Sequence, residues 1–165
     1  TESGQSREMM RLFDAEELVA DVGDLFAPTA EEAGGSLSVS TEPGLHVVAD
    51  RQLLAQALSN LVDNALKYGV QENAAPQITL SAHRSEELVV FAVGDRGPGV
   101  AEPDRARVLD RFVRLEESRT KPGNGLGLSL VAGIMRLHGG TIRLADNAPG
   151  LRVELGLPYK PPPQG

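Results

Sequence analysis

Asn60 and Asn64 stand four residues apart, with Lys67 three further on and Tyr68 beside it. On a helix this spacing puts both carboxamides on one face and the ammonium about one turn beyond. A carboxamide oxygen is a hard, neutral ligand, suited to a Mg²⁺ that already carries phosphate oxygens, and a lysine offsets phosphate charge. The plain alternative is two tolerated polar residues, with Lys67 paired to Asp63 at i, i+4. A second candidate is Asp95-Arg96-Gly97-Pro98-Gly99, directly after an apolar run. A carboxylate at a strand end accepts a hydrogen bond from a ligand amine, and glycines without Cβ let ligand and backbone approach. Its alternative is a Gly-Pro turn with Asp as the initiator. A third is Gly123-Asn124-Gly125-Leu126-Gly127 at the entrance of a helix. Exposed backbone N–H groups and the helix dipole favour an anion there. It is neither the dinucleotide fingerprint nor a P-loop, and the alternative is a flexible hinge. Between these motifs lie Arg105, Arg107, Arg111, Arg114, Arg119 and Lys121, together with Asp110, Glu116 and Glu117. The acids neutralise a solvated loop; beside a polyphosphate, an arginine here reaches phosphate oxygens.

The elements that must position these groups follow from hydrophobic periodicity. Asp14 to about Ala33 reads as a helix with Leu18, Val19, Val22, Leu25 and Phe26 on one side, kinked or broken at Pro28 and ended by Gly34-Gly35. Leu37–Thr41 and Leu45–Ala49 read as a short pair of strands. Asp50 caps a helix to about Lys67, whose apolar stripe is Leu54, Leu58, Leu61, Val62, Ala65 and Leu66, with Asn64 at its margin. Ile78, Leu80 and Ala82 alternate with polar neighbours, and Leu88–Val93 is a denser, more buried strand. Gly94 to Asn124 is a long Gly-, Pro- and charge-rich stretch with at most a short helix around Arg105–Phe112, a length that points to function. Leu126–His138 is a helix with Leu126, Leu130, Val131, Ile134 and Leu137 on one arc, stopped by Gly139-Gly140. Thr141–Ala145 and Leu151–Leu157 close the chain as a hairpin, before a Pro-rich tail that is extended or disordered. This order predicts a mixed sheet with helices on one face.

The 165 residues suit one domain. A net charge of −7 argues against a nucleic-acid or anionic-membrane binder, leaving the local charge of a pocket open. With no cysteine, disulfides, thiolate zinc sites and cysteine nucleophiles are excluded. No apolar run reaches membrane-spanning length and no signal peptide leads the chain. Thr1 in place of Met leads us to expect a fragment of a longer protein.

In chain order, Asn60-Leu61-Val62-Asp63-Asn64-Ala65-Leu66-Lys67-Tyr68, Asp95 to Gly99, Arg111-Phe112-Val113-Arg114, Gly123 to Gly127 and Leu137-His138-Gly139-Gly140 form a far more specific signal than any one of them. The succession resembles the ATP-binding domain of bacterial sensor histidine kinases, the Bergerat-type nucleotide fold shared with gyrase-like ATPases. It covers about Phe13 to Pro158. The resemblance implies an α/β (α+β) two-layer sandwich, with about five mixed strands covered on one face by about three helices. It implies an ATP-binding unit at 13–158, a linker or upstream helix end at 1–12, a lid at about 100–124 and a disordered tail at 159–165.

By the same resemblance, Asn64 coordinates Mg²⁺ with Asn60 close by, Lys67 contacts phosphate and Tyr68 lines the nucleotide site. Asp95 accepts the exocyclic amine of adenine, and Gly97, Gly99 and Val100 bring backbone against the base. Phe112 anchors the lid, Arg114 or Arg119 reaches the phosphates, and Gly123, Gly125, Leu126 and Gly127 supply backbone around them. Asn60, Asn64, Lys67 and Arg114 form the catalytic set. Gyrase-like relatives place a glutamate base where Asn60 stands, and an amide is a poor base, so the chain looks built to hold ATP for another acceptor. Family kinases use a His followed by an acidic residue. The three histidines here precede Val47, Arg84 and Gly139, so all are read as structural. Arg96 stands for a commoner Asn, and Asn124 for a small hydroxyl residue. The implied function is a cytoplasmic catalytic fragment, monomeric when isolated, with or without a membrane anchor on its parent. Its implied partners are a separate dimerisation and phosphoacceptor helical domain and, indirectly, a response regulator. An anti-sigma-type serine kinase and a degenerate nucleotide-binding regulatory module are the alternatives.

Overall fold

A computed structural model of the chain describes residues 9–105 and 128–163. In order it contains β1 (Arg11–Asp14), α1 (Ala15–Glu32), β2 (Ser36–Thr41), β3 (His46–Ala49), α2 (Arg51–Tyr68), β4 (Gln77–Ser85), β5 (Leu88–Gly94), α3 (Leu128–Leu137), β6 (Thr141–Asp146) and β7 (Leu151–Pro158). Two helices start at an aspartate. Asp14 accepts from the Glu16 N–H at 2.9 Å and Asp50 from the Leu53 N–H at 3.2 Å, each satisfying a donor that the first helical turn leaves free.

β2, β4, β5, β7 and β6 form one mixed sheet in that order, with β2 parallel to β4 and every other pair antiparallel. Alternation puts Ile78, Leu80, Val89, Phe91, Val93, Val153, Leu155 and Leu157 into the core, where α1, α2 and α3 cover one face of the sheet. The expected two-layer sandwich is thereby observed. The stripe of α2 is buried at Leu54, Leu58, Leu61, Val62 and Ala65, with Leu66 packed against the core at its edge. His138 ties two helices of the covering layer together: its Nε2 accepts from the Asp50 N–H at 3.0 Å and its Nδ1 lies 2.8 Å from the Ile134 carbonyl. This pairing specifies the tautomer with the proton on Nδ1 and joins the end of α3 to the start of α2.

Several local expectations need correction. β2 and β3 do not pair with each other: β2 joins the large sheet, and β3 pairs with β1, a strand in a stretch that had read as linker and helix start. Alternation identifies a strand without identifying its partner. Helix α1 runs unbroken through Pro28. Asp24 and Pro28 are both exposed, so the carbonyl deprived of its N–H partner faces water. Leu25, Leu130 and Leu137 are exposed, because each sits at the margin of the arc its helix buries. Past β7, Tyr159 donates to Glu87 and packs on the core, its ring 3.7 Å from the Arg84 guanidinium, and Lys160 donates to His46. β1 and Lys160 thus extend the folded unit at both ends of the 13–158 span. Among the described residues no helix is long and apolar enough to cross a membrane.

Candidate functional site

One face of α2 presents Leu61, Asn64, Ala65 and Tyr68, spaced i, i+3, i+4, i+7, to a cavity of 220 Å³. Its floor is Val93 and Val153, register partners on β5 and β7, with Leu151 beside them. Asp95, Pro98, Gly99 and Val100 form one end, and Leu128 of α3 closes another side. The walls are mainly aliphatic, with Asp95 and Asn64 as the polar groups deep in the lining. Such a slot takes a flat heteroaromatic ring and reads its edge through few polar atoms.

Asp50 and Asp95 are the buried charged side chains among the described residues, and only Asp95 lines this cavity. Its Oδ1 accepts from the Gly97 and Leu151 N–H groups, both at 3.0 Å. Burial pushes the Asp95 carboxyl above the usual aspartate range, while these two N–H donors pull it back. Among the described residues no hydrogen bond reaches Oδ2, which leaves one oxygen for a ligand donor. Two glycines make this approach possible. A Cβ on Gly69 would collide with the Asp95 carboxylate, and a Cβ on Gly97 would collide with the backbone of Gly69. Gly69 has φ −94°, open to any residue, so it is glycine for want of space. Gly69→Ala therefore displaces Asp95. We expect a loss of about 1–3 kcal/mol from overpacking, read as a Tm several degrees lower in thermal melts.

The α2 residues divide. Asn64 lines the cavity with its Nδ2 buried and unpartnered, and Tyr68 borders it with half its surface exposed. Lys67 turns outward: its Nζ meets Asp63 at 2.9 Å, and that hydrogen bond raises its pKa. Asn60 is half-buried and off the cavity lining. Gly99 and Val100 line the cavity, whereas Gly97 acts one layer behind, against Gly69. Phe112, Arg114, Arg119, Gly123, Gly125, Leu126 and Gly127 lie outside the described residues. The motif reading passed over Gly69, Asn147, Gly150 and the cavity side of Leu151 and Val153. Gly69 directly after Tyr68 was legible only as a helix stop.

No group of three or more His, Cys, Asp or Glu side chains among the described residues could hold a metal alone. The donor set still fits Mg²⁺ arriving on a polyphosphate, since Mg²⁺ keeps waters and phosphate oxygens and needs few protein ligands. Asn64 offers a carboxamide with an unsatisfied buried atom, and a half-turn of the amide exchanges its nitrogen and oxygen.

Fold and cavity together define a ligand-binding α/β sandwich domain. The chain belongs to the family described as Histidine kinase-, DNA gyrase B-, and HSP90-like ATPase, which matches residues 49–161. It is 30% identical over 154 residues to the sensor-like histidine kinase SenX3 of Mycolicibacterium smegmatis, covering 92% of this chain and 39% of SenX3. To the sensor histidine kinase WalK of Bacillus subtilis it is 33% identical over 141 residues, covering 83% of this chain and 23% of WalK. The chain thus spans well under half the length of these curated relatives. Among solved structures, the catalytic domain of histidine kinase ThkA superposes with a TM-score of 0.74 at 26% identity, covering 90% of this chain and 95% of that one. Full-length ShkA in complex with AMPPNP superposes with a TM-score of 0.76 at 30% identity, covering 94% of this chain and 32% of ShkA.

Proposed function

We propose that this chain is the catalytic domain of a two-component sensor histidine kinase. In this reading it binds Mg-ATP and donates the γ-phosphoryl group to a histidine on a separate dimerisation and phosphoacceptor helical domain. The observation that carries the reading is the meeting of Asp95 and Asn64, distant in sequence, on one aliphatic cavity. The ionised Asp95 accepts the exocyclic N–H of adenine through Oδ2, a donor that a 6-oxo purine lacks. Leu61, Ala65, Val93 and Val153 hold the ring and keep water from that hydrogen bond. Asn64 would hold the Mg²⁺ of the nucleotide, and the ion would supply charge neutralisation at the phosphate oxygens. Lys67 exchanges its exposed Asp63 partner for phosphate at small cost, because a solvated pair contributes little. Arg114 or Arg119 joins the phosphates from the lid. Asn60 offers no strong base, so ATP persists until a histidine nucleophile arrives. Because ATP is the donor, the domain works in the cytoplasm, whatever anchors its parent.

ShkA, whose structure holds AMPPNP, supports the nucleotide assignment by similarity. The test is transfer of labelled phosphate from ATP to an added His-bearing helical domain. We expect negligible hydrolysis by the chain alone, and an acid-labile, base-stable product once that domain is present. Rapid hydrolysis without a partner would place the chain with the ATPases, and an acid-stable product with serine kinases.

A further inference from the structure

The hairpin loop between β6 and β7 grips the residue that reads the base. The Asn147 Nδ2 donates to the Asp95 carbonyl, the Asp95 N–H donates to the Leu151 carbonyl at 3.0 Å, and the Leu151 N–H donates to Asp95 Oδ1. Arg96 reaches back with its Nη1 to the Asn147 carbonyl at 3.1 Å, so the loop holds the turn from both sides. The loop closes on itself through the Asn147 N–H and the Gly150 carbonyl, 3.0 Å apart. Neighbouring glycines clear the space. A Cβ on Gly94 would stand 3.1 Å from the Asn147 amide nitrogen, and one on Gly150 would collide with the Asp95 carbonyl. Asn147 is absent from the cavity lining and acts from behind.

We propose that Asn147 is a positioning residue for base selectivity: its hydrogen bond to the Asp95 carbonyl fixes the aspartate so that Oδ2 faces an exocyclic amine. The inference rests on the adenine reading above. A carboxylate that accepts two N–H bonds on one oxygen is held only as well as the backbone carrying it. Asn147 removes the remaining freedom of that backbone, the rotation of the peptide after Asp95. Without it the turn relaxes, Oδ2 drifts from the plane of the base, and the hydrogen bond that separates an amine from a carbonyl weakens. Contacts to sugar, phosphates and the apolar faces of the ring are untouched.

The test measures ADP and inosine diphosphate affinities by calorimetry for the wild-type chain, Asn147→Ala and Asn147→Asp, with Tm in parallel. These ligands differ at the 6-position, an amine in one and a carbonyl in the other. We expect the wild type to prefer ADP strongly. Both variants should lose about tenfold in ADP affinity, the effect of one neutral hydrogen bond acting on a charged one. Their inosine diphosphate affinity should stay unchanged, so the selectivity ratio shrinks by the same factor. A lower Tm alone is common to both roles; a merely structural role would leave the selectivity ratio unchanged by weakening both nucleotides equally or neither, and that result would overturn the proposal. Should the Asn147 variants fail to fold, Arg96→Ala on the exposed side of the loop decides. A ratio reduced about two- to threefold supports the clamp, and an unchanged ratio overturns it. A wild type indifferent to the two bases would overturn the adenine reading and this inference together; an intact wild-type preference that the variants retain would overturn this inference alone.

Discussion

Asp95→Asn is expected to weaken ATP at least about 100-fold, yet to leave a domain at least as stable as the wild type. The two effects have one cause. The substitution keeps Oδ1 as acceptor for Gly97 and Leu151 and replaces Oδ2, beside Gly69, with an NH₂. In the adenine reading that NH₂ would confront the base's amine donor to donor, so a charge-assisted hydrogen bond would become a repulsion. Without nucleotide the balance reverses. Burial raises the Asp95 pKa above its unfolded value, so the folded state binds the proton more tightly than the unfolded one. Stability from this group is therefore fully present below the unfolded aspartate range and is lost as pH rises through the folded value. At neutral pH the buried carboxylate is a cost that asparagine does not carry. Calorimetric titration with ATP and thermal melts at pH 7 check both halves. The ligand-free melting curve of the variant should also depend less on pH just above the ordinary aspartate range. ATP affinity of the wild type should fall as pH drops toward the raised value, where Asp95 takes up its proton. Unchanged affinity in the variant would remove Asp95 from the site, and with it the adenine assignment.

Asn64→Ala should abolish the magnesium dependence of nucleotide binding. In the wild type we expect Mg-ATP to bind more tightly than ATP in chelator, because the Asn64 carboxamide on the cavity wall would serve as a ligand to an ion carried by phosphate. Without that ligand we expect the two affinities to converge and Mg-ATP to weaken about 100-fold, the upper end of what losing even an outer-shell partner costs a metal site. The fold should not suffer. Asn64 buries an Nδ2 without a partner, so truncation relieves an unsatisfied donor. It lies within α2, where alanine is favoured over asparagine by roughly 0.5 kcal/mol. A higher Tm with lost magnesium dependence is therefore the expected signature, read by melts and by titrations in Mg²⁺ and in chelator. Magnesium dependence kept by the variant would assign the ion to other residues.

Much of this molecule was legible as text because its information is local. Asp50 announces α2 through its N-cap, and the stripe from Leu54 to Ala65 names the buried face. The dense run Leu88–Val93 reads as an interior strand and forms β5, which ends one residue further on at Gly94. Misreadings arose where the deciding partner is far along the chain. Whether β2 pairs with β3 or β4 depends on α2 returning the chain beside β2 to place β4 there. Pro28 breaks no helix, because the unpartnered carbonyl happens to face water. Leu25 is apolar and exposed, because the packing of α1 against the sheet, with β2 passing close over Gly23, selects the buried arc.

The site divides along the same line. The sequence by itself determined which groups are available: carboxamides a helical turn apart, a carboxylate at the end of a strand, and glycines beside it. Those are properties of residue type and spacing, carried by geometry within a few bonds. Tertiary structure alone decided which of them converge. It placed Asn64 on the cavity, whereas the Lys67–Asp63 pair on the same helix is the local i, i+4 contact that the spacing already offered. It made Gly69 obligatory through the bulk of Asp95, and brought Asn147 from the far hairpin to hold that residue's backbone. Contacts of this kind follow from how layers stack and strands register, which no local pattern encodes.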